Sequence, residues 1–342
     1  MIEFKSGGLL TTVQDKGRAG HQRYGVAMAG AMDCFAHSLS NVLVGNEPDE
    51  ASLEITAMGP VIKFHEANIF AVSGGVFSAE LNGMPIENNR AYCAAAGDRL
   101  DMGMAKSGMR AYIAFAGGLK ADEVMGSKST FMKGGIGGIE GRSARRGDTL
   151  EFCSPKTQLP NMAFRYVSAD FGIKYSSNPV LRVLLGPQDD YFSKKGLDTL
   201  FSGEYKVTKE NDRMGYRLDG PEIEYAEGMT GNIISDGIAR GAIQIPNGKP
   251  IIMMSDRQTT GGYAKVGSVI NADLPLIAQL KQGDTVRFCP VDIREAQRLY
   301  VERKRMFAEL KRHLDEDTII KKTESVVRLN GKSFAVSVEE YA

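Results

Sequence analysis

The sequence predicts a mainly β protein: two related β domains in tandem, a few helices, and a helix and tail at the C-terminus. Three observations predict it. Short apolar or alternating runs of strand length recur between Gly- and Pro-marked turns over most of the chain. One turn-and-strand pattern appears in both halves, in the same order. A long run with helical spacing comes only after Phe288.

Ile2 to Val13 reads as strand and turn, punctuated by Gly7-Gly8. Gln14 to Gly25 is a polar, Gly-rich loop carrying Lys16, Arg18 and Arg23, with neither helical nor strand period. Such a loop between ordered hydrophobic runs is expected to be functional. Asp33 to Val44 reads as a helix, with Phe35, Leu39, Val42 and Leu43 as its apolar stripe and Gly45 just past its end. Asp33 is either its N-cap or a site residue. From Leu53 to Phe152 the runs Leu53–Ile55, Val61–Phe64, Ile69–Ser73 and Arg110–Phe115 alternate with turn signals such as Gly59-Pro60, Asn82-Gly83, Gly97-Asp98 and Gly117-Gly118.

The repeat rests on Arg145-Arg146-Gly147-Asp148-Thr149-Leu150-Glu151-Phe152-Cys153, which parallels Lys281-Gln282-Gly283-Asp284-Thr285-Val286-Arg287-Phe288-Cys289. Gly59-Pro60 likewise pairs with Gly220-Pro221, and Gly83-Met84-Pro85-Ile86 with Gly248-Lys249-Pro250-Ile251. The expected domains are therefore 1–153 and 180–290, joined by a linker over 154–179 and followed by a helix and tail over 291–342. Asp292 and Glu295 make a capping pair for that helix. Ile293, Ala296, Tyr300, Phe307, Leu310 and Leu314 share its apolar face, and a solvated charged face lies opposite. Ser325 to Val338 reads as two weak alternating strands.

Composition narrows the function classes. The 342 residues hold 42 Lys plus Arg against 42 Asp plus Glu, which gives no electrostatic reason for nucleic acid or an anionic membrane as partner. No apolar run reaches the roughly 20 residues of a membrane span, and the N-terminus has no export pattern, so a cytoplasmic location is expected. The four cysteines are far apart, consistent with reduced thiols, and the four histidines show no metal-ligand spacing. Gly126-Ser127-Lys128-Ser129-Thr130 resembles a nucleotide loop but fails the spacing, since Ser127 separates Gly126 from Lys128 and position 121 is Ala. Gly134 to Gly138 reads as a flexible loop, a candidate lid.

The chemistry concentrates after the apolar strand Pro250–Met254. Asp256-Arg257-Gln258-Thr259-Thr260-Gly261-Gly262-Tyr263 would bring a carboxylate, a guanidinium, an amide and hydroxyls to one strand end, with the glycine pair turning the backbone. A polar turn with a surface ion pair is the plain alternative. Asp212-Arg213 and Gln244 are of the same type. Arg257 or Arg213 would grip a carboxylate, Gln258 or Gln244 an amide, and Asp256 or Asp212 would orient an Arg or take a proton. The Gly261 and Gly262 amides would hold an oxyanion. Such a set suits a small lactam or ureide bearing an acid.

These motifs resemble a known family. Leu9-Leu10-Thr11-Thr12-Val13-Gln14-Asp15 with Gly17-Arg18, Gly30-Ala31-Met32-Asp33, Leu43-Val44-Gly45-Asn46, Gly186-Pro187-Gln188, Asp212 to Leu218, Gly241 to Pro246 and Asp256 to Tyr263 are similar to the biotin-dependent carboxyltransferase-like, or allophanate hydrolase subunit 2, family. The resemblance runs from about Gly8 to Phe288. It implies tandem cyclophilin-like β barrels, which agrees with the repeat. It implies a site of Asp256, Arg257, Gln258, Thr259, Asp212 and Arg213, with Gln244, Gly261, Gly262, Tyr263, Gln14, Asp15, Arg18 and Asp33 binding substrate. For a stand-alone member without a biotinyl Met-Lys motif, it implies the C component of an ATP-dependent 5-oxoprolinase that opens 5-oxoproline to glutamate. A Kip-inhibitor-like B component and a lactam-utilisation A component would be its partners. ATP would then be bound by a partner, with neither biotin nor a metal expected on this chain. The resemblance also leaves open a non-catalytic regulator of a Kip-inhibitor-like protein, and a carboxyltransferase acting on urea derivatives. His21, Ala27 and Ala264 depart from the family pattern, outside the polar set.

Overall fold

The computed structural model describes residues 1–169, 171–316 and 319–341. Its first half is two antiparallel sheets facing across one core. One runs in the order 149–150, 2–6, 61–64, 99–101, 80–81, 84–85, and the other in the order 10–14, 52–56, 105–115, 68–77, 90–94. Period-two alternation puts Ile2, Phe4, Ile62, Phe64, Leu53, Ile55, Phe70 and Ile113 on the inner faces, where all are buried. The second half closes into a seven-stranded barrel in the order 180–185, 265–269, 242–244, 251–253, 215–219, 205–207, 285–290. Its interior is filled by Leu181, Val183, Tyr216, Ile243, Ile252, Val266, Val286 and Phe288. This is the mainly β, tandem architecture expected.

The sequence repeat is a structural repeat at its strongest point. Gly147 and Gly283 both take a left-handed backbone, φ 92° and 95°. In each turn the following Asp carboxylate accepts the amide three residues back: Asp148 from Arg145 at 2.8 Å and Asp284 from Lys281 at 2.9 Å. A strand then begins at Thr149 and at Thr285.

Among the described residues four α-helices decorate the sheets: α1 (Cys34–Leu43), α2 (Lys194–Ser202), α3 (Leu274–Ala278) and α4 (Ile293–Asp315). Asp33 caps α1, accepting from the Ala36 amide at 2.9 Å, and Asp292 caps α4 through the Glu295 amide at 2.8 Å. Phe307 and Leu314 of α4 pack with Phe35, Leu39 and Val42 of α1 in one cluster. Within segment 154–179, Arg165 makes a tie between helices. Arg165, 1% exposed, donates to the Val42, Leu43 and Leu314 carbonyls and to Asp315 Oδ1 at 2.6 Å, tying α1 to α4. The tail is a hairpin of Ile319–Leu329 with Lys332–Tyr341, longer at both ends than its alternation suggests.

Two loop expectations change. Gly137 and Gly138 are buried against the 127–130 turn, where a Cβ would meet the Ser129 carbonyl oxygen at 2.2 Å and Thr130 Oγ1 at 2.0 Å. Close packing and a left-handed backbone, φ 73° and 65°, are why those two positions are glycine. Gly261 and Gly262 lie in an extended strand, Thr260–Tyr263, paired with Asn232–Gly237, and neither has a positive φ. The turn instead falls at Ser255 and Asp256, closed by the Arg257 amide on the Met254 carbonyl.

Candidate functional site

The halves are joined by polar contacts that use several of the expected site residues. Arg213 donates to both oxygens of Asp256, at 3.0 Å each, to the Gly30 carbonyl at 2.8 Å, and to Glu54 of the first half. Arg213, Asp256 and Glu54 are 4%, 7% and 2% exposed. Burial alone pushes the Glu54 carboxyl up, but the Arg213 and Arg110 guanidiniums more than reverse this and hold it below its ordinary value. Arg110 lies 3.9 Å from Glu54 and donates to Tyr216 Oη and the Ala278 carbonyl, both at 2.6 Å. The carboxamide of Gln279 spans the same seam: its Oε1 accepts the Met109 and Arg110 amides, while its Nε2 donates to Asp33 at 2.7 Å. Met32, from the first half, is buried in the barrel core. Arg213 and Asp256 therefore form a strut between halves, and their hydrogen-bonding capacity is spent inside the protein.

The N-terminal loop is built the same way. Gln14 donates to Thr12 and to the Thr130 carbonyl and accepts the Gly30 amide at 3.1 Å. Asp15 accepts the Gly17 and Lys128 amides and the Ser127 hydroxyl, each at 2.7 Å. The run that mimics a nucleotide loop is thus a turn wrapped on a carboxylate. Burial raises the Asp15 pKa, but these donors outweigh it and leave the carboxyl below its usual range. Arg18, 1% exposed, donates to the Val124 and Ser129 carbonyls, and among the described residues its Nη1 has no partner. Asp33 accepts from Gln279 and Tyr175, and burial pushes its carboxyl up.

Arg257 differs from all of these. It is 4% exposed and donates only to carbonyls, to Ile238 at 2.9 Å and Met254 at 3.2 Å. Among the described residues no carboxylate pairs with it. Burial, and then the neighbouring Arg240, pull its pKa down to about 10. Ile238 relates it to Gly261: a Cβ on Gly261 would lie 2.7 Å from Ile238 Cδ1, 2.9 Å from Gln244 Nε2 and 3.5 Å from Gln258 Nε2. Two side-chain amides therefore converge over a strand position kept bare. Gln244 is 2% exposed, and its one hydrogen bond, to the Tyr263 carbonyl, is long at 3.4 Å. Lys265, opposite Gln244 in register and 3% exposed, reaches Asp236 at 3.1 Å. The set is an unpaired guanidinium, two amides and an ammonium, able to hold a small acid with an amide function.

The expected residues thus divide. Gln244, Gln258 and Gly261 come together, and Arg257 reaches them only through Ile238. Asp256, Arg213, Gln14, Asp15 and Asp33 serve inter-half or loop bonds. Asp212 is exposed and accepts its own turn amides, from Met214 at 2.7 Å and Gly215 at 3.2 Å. Thr259 is half-buried, and Tyr263 is exposed at the edge of the ribbon. Sequence reasoning missed Arg110 and Lys265, and it noted Glu54, Arg240 and His37 without placing them in the site. Glu54 and Lys265 sit within otherwise buried strands, where a charged residue is itself a signal; the others carry no local mark.

Next to this cluster lies a cavity of about 840 Å³, bounded by the 15–31 loop, α1 and α4. Arg240 lines it, and its Nη2 donates to the Ala31 and Met32 carbonyls at 3.0 and 2.7 Å. Among the described residues no helix is long and apolar enough to cross a membrane, and no group of three potential metal ligands occurs.

Comparison with known proteins agrees with this architecture. Residues 24–290 match the carboxyltransferase domain, subdomain A and B, family model. The chain is 33% identical over 311 residues to the 5-oxoprolinase C subunit of Escherichia coli, covering 91% of this chain and 97% of that one. It is 35% identical over 315 residues to the urea amidolyase of Lachancea kluyveri, covering 87% of this chain but 17% of that one. The crystal structure of Kluyveromyces lactis urea carboxylase superposes with a TM-score of 0.83 at 28% identity, over 99% of this chain and 32% of that one. With a family model spanning both halves and a relative matched nearly end to end, the chain belongs to the carboxyltransferase domain, subdomain A and B, family.

Proposed function

We propose that this chain is the C subunit of a 5-oxoprolinase, an ATP-dependent complex that opens the lactam of 5-oxoproline to give glutamate. The observation that carries the proposal is Arg257, a buried guanidinium with carbonyl partners, one of them Ile238, whose side chain flanks Gly261 where the Gln244 and Gln258 amides converge. A five-membered lactam with a carboxylate matches that set: the acid on Arg257, the ring amide between the glutamines. The near full-length correspondence with a stand-alone 5-oxoprolinase C subunit supports it, because the urea amidolyases match over a small part of their length. Arg257 and the amides bind and orient. Ring opening needs groups supplied by the other two components of the complex, one Kip-inhibitor-like and one of the lactam-utilisation type. ATP use belongs to the complex, within the cytoplasm.

The test is glutamate release from 5-oxoproline by the purified chain, alone and with both partner proteins. Arg257→Ala, in a complex that still assembles, is expected to lose about tenfold to a hundredfold in kcat/KM, the worth of one charged hydrogen bond. Unchanged turnover removes Arg257 from the site. The likeness to urea carboxylase favours a second reading, transfer of a carboxyl group to a urea-like acceptor from a separate biotin protein. Biotin-dependent carboxylation of urea, with no glutamate formed from 5-oxoproline, selects it. Capture of the Kip-inhibitor-like partner with neither activity selects the regulatory reading.

A further inference from the structure

The lactam reading leaves one buried cation of the barrel without a role. Lys265 is 3% exposed, and among the described residues no other lysine is buried. A lysine is buried when its charge is paired, and the pairing here is lopsided. The partner, Asp236, stands 3.1 Å away on the ribbon strand Asn232–Gly237, with a side chain 58% exposed. Among the described residues that is the ammonium's one acceptor, so two of its three N–H donors find none. The other oxygen of Asp236 accepts the Gly237 amide at 2.7 Å, and a Cβ on Gly237 would meet nothing within 4 Å. The carboxylate thus has open space to swing into, whereas Lys265 is enclosed.

The position of Lys265 ties it to the amide site. It is the register partner of Gln244, so the two side chains share one face of the barrel. The pairing skips Val266 between Ile243 and Gln244, an irregularity of the kind that re-aims side chains beside functional sites. Gln188 pins the backbone of the lysine. Its Oε1 accepts the Lys265 amide, and its own amide donates to the Lys265 carbonyl, both at 3.1 Å. The Gly186-Pro187-Gln188 motif thereby gains a positioning role.

Ring opening changes the charge pattern of the ligand. Water adds across the C–N bond: its oxygen joins the carbonyl carbon to make a carboxylate, and its two protons go to the ring nitrogen to make an ammonium. 5-Oxoproline therefore carries one carboxylate and glutamate two. We propose that Lys265 receives the carboxylate that ring opening creates, displacing Asp236, which occupies the ammonium in the resting chain. The first carboxylate stays with Arg257, so two cations hold the product and one holds the substrate. The proposal rests on the lactam reading and adds to it the residue that separates product from substrate.

The test compares glutamate with 5-oxoproline, by calorimetry on the full chain and as inhibitor and substrate of the assembled complex. Lys265→Met is expected to weaken glutamate about tenfold, the worth of one charged hydrogen bond, and to change 5-oxoproline by less than about threefold. Asp236→Asn, at an exposed position, is expected to tighten glutamate severalfold, because it removes the competing carboxylate. Lys265→Arg, which keeps the charge, is expected to retain more glutamate binding than Lys265→Met. Opposite shifts from the two members of one ion pair exclude a merely structural role, and Asp236→Asn still decides the matter if Lys265→Met unfolds. No glutamate binding by the native protein, equal losses for both ligands in Lys265→Met, or glutamate not tightened in Asp236→Asn overturns the proposal. Failure of the lactam reading shows separately, as a native complex that makes no glutamate from 5-oxoproline.

Discussion

Arg213→Ala tests the strut that joins the two halves. The substitution removes five interactions at once: two to Asp256, one to Glu54, one to the Gly30 carbonyl, and the charge that offsets Glu54 burial. What remains is two carboxylates, 2% and 7% exposed, with no bidentate partner. Breaking one side of a buried ion pair costs about 3–5 kcal/mol, mostly from the stranded charge. That corresponds to a fall in the thermal midpoint on the order of 10 °C for a chain of this size. The loss also depends on pH. The folded pKa of Glu54 lies below its ordinary value, so its stabilisation is present above the unfolded pKa and is lost as pH falls through the folded one. In Arg213→Ala the burial effect stands less opposed and the carboxyl titrates higher. The deficit against the native protein is therefore greatest near neutrality and narrows in acid. Adding Glu54→Gln and Asp256→Asn to an Arg213→Met background is expected to recover part of the loss, since no charge is then stranded. Denaturant unfolding from pH 4 to pH 8 measures all of this. A loss under about 1 kcal/mol at pH 7, or a deficit flat across pH, refutes the strut.

Three further outcomes are expected. Asp15→Ala strands the Gly17 and Lys128 amides and should cost about 2–3 kcal/mol, with faster hydrogen exchange at those amides; unchanged exchange at Lys128 counts against the wrapped turn. Arg165→Met unties α1 from α4 at four acceptors and is expected to lower stability by about 2–4 kcal/mol and to speed exchange along 305–315 more than in the barrel. Gly261→Ala puts a methyl 2.9 Å from Gln244 Nε2, so KM for the lactam should rise severalfold while the ribbon stays paired; an unaltered KM says the amides do not converge on substrate.

The β class, the Gly-Asp-Thr turn repeat, the capped helices at Asp33 and Asp292 and the rejection of the nucleotide loop are all readable from sequence. Each depends on neighbours within a few residues: a glycine needed at positive φ, a cap oxygen facing the amide three residues on, an apolar stripe with period two or 3.6. Side-chain destination is a different kind of property. Asp256, Arg257 and Gln258 are consecutive, yet one holds the arginine that crosses the seam, one turns to carbonyls and one faces solvent. Arg213 and Arg257 are interchangeable as carboxylate grips in the sequence. Only the placement of Glu54 and Asp256, far apart in the chain, occupies the first and leaves the second unpaired. Electrostatic pairing and cavity shape are set by contacts between distant segments, so the folded arrangement alone decided which charges are structural and which remain available to a ligand.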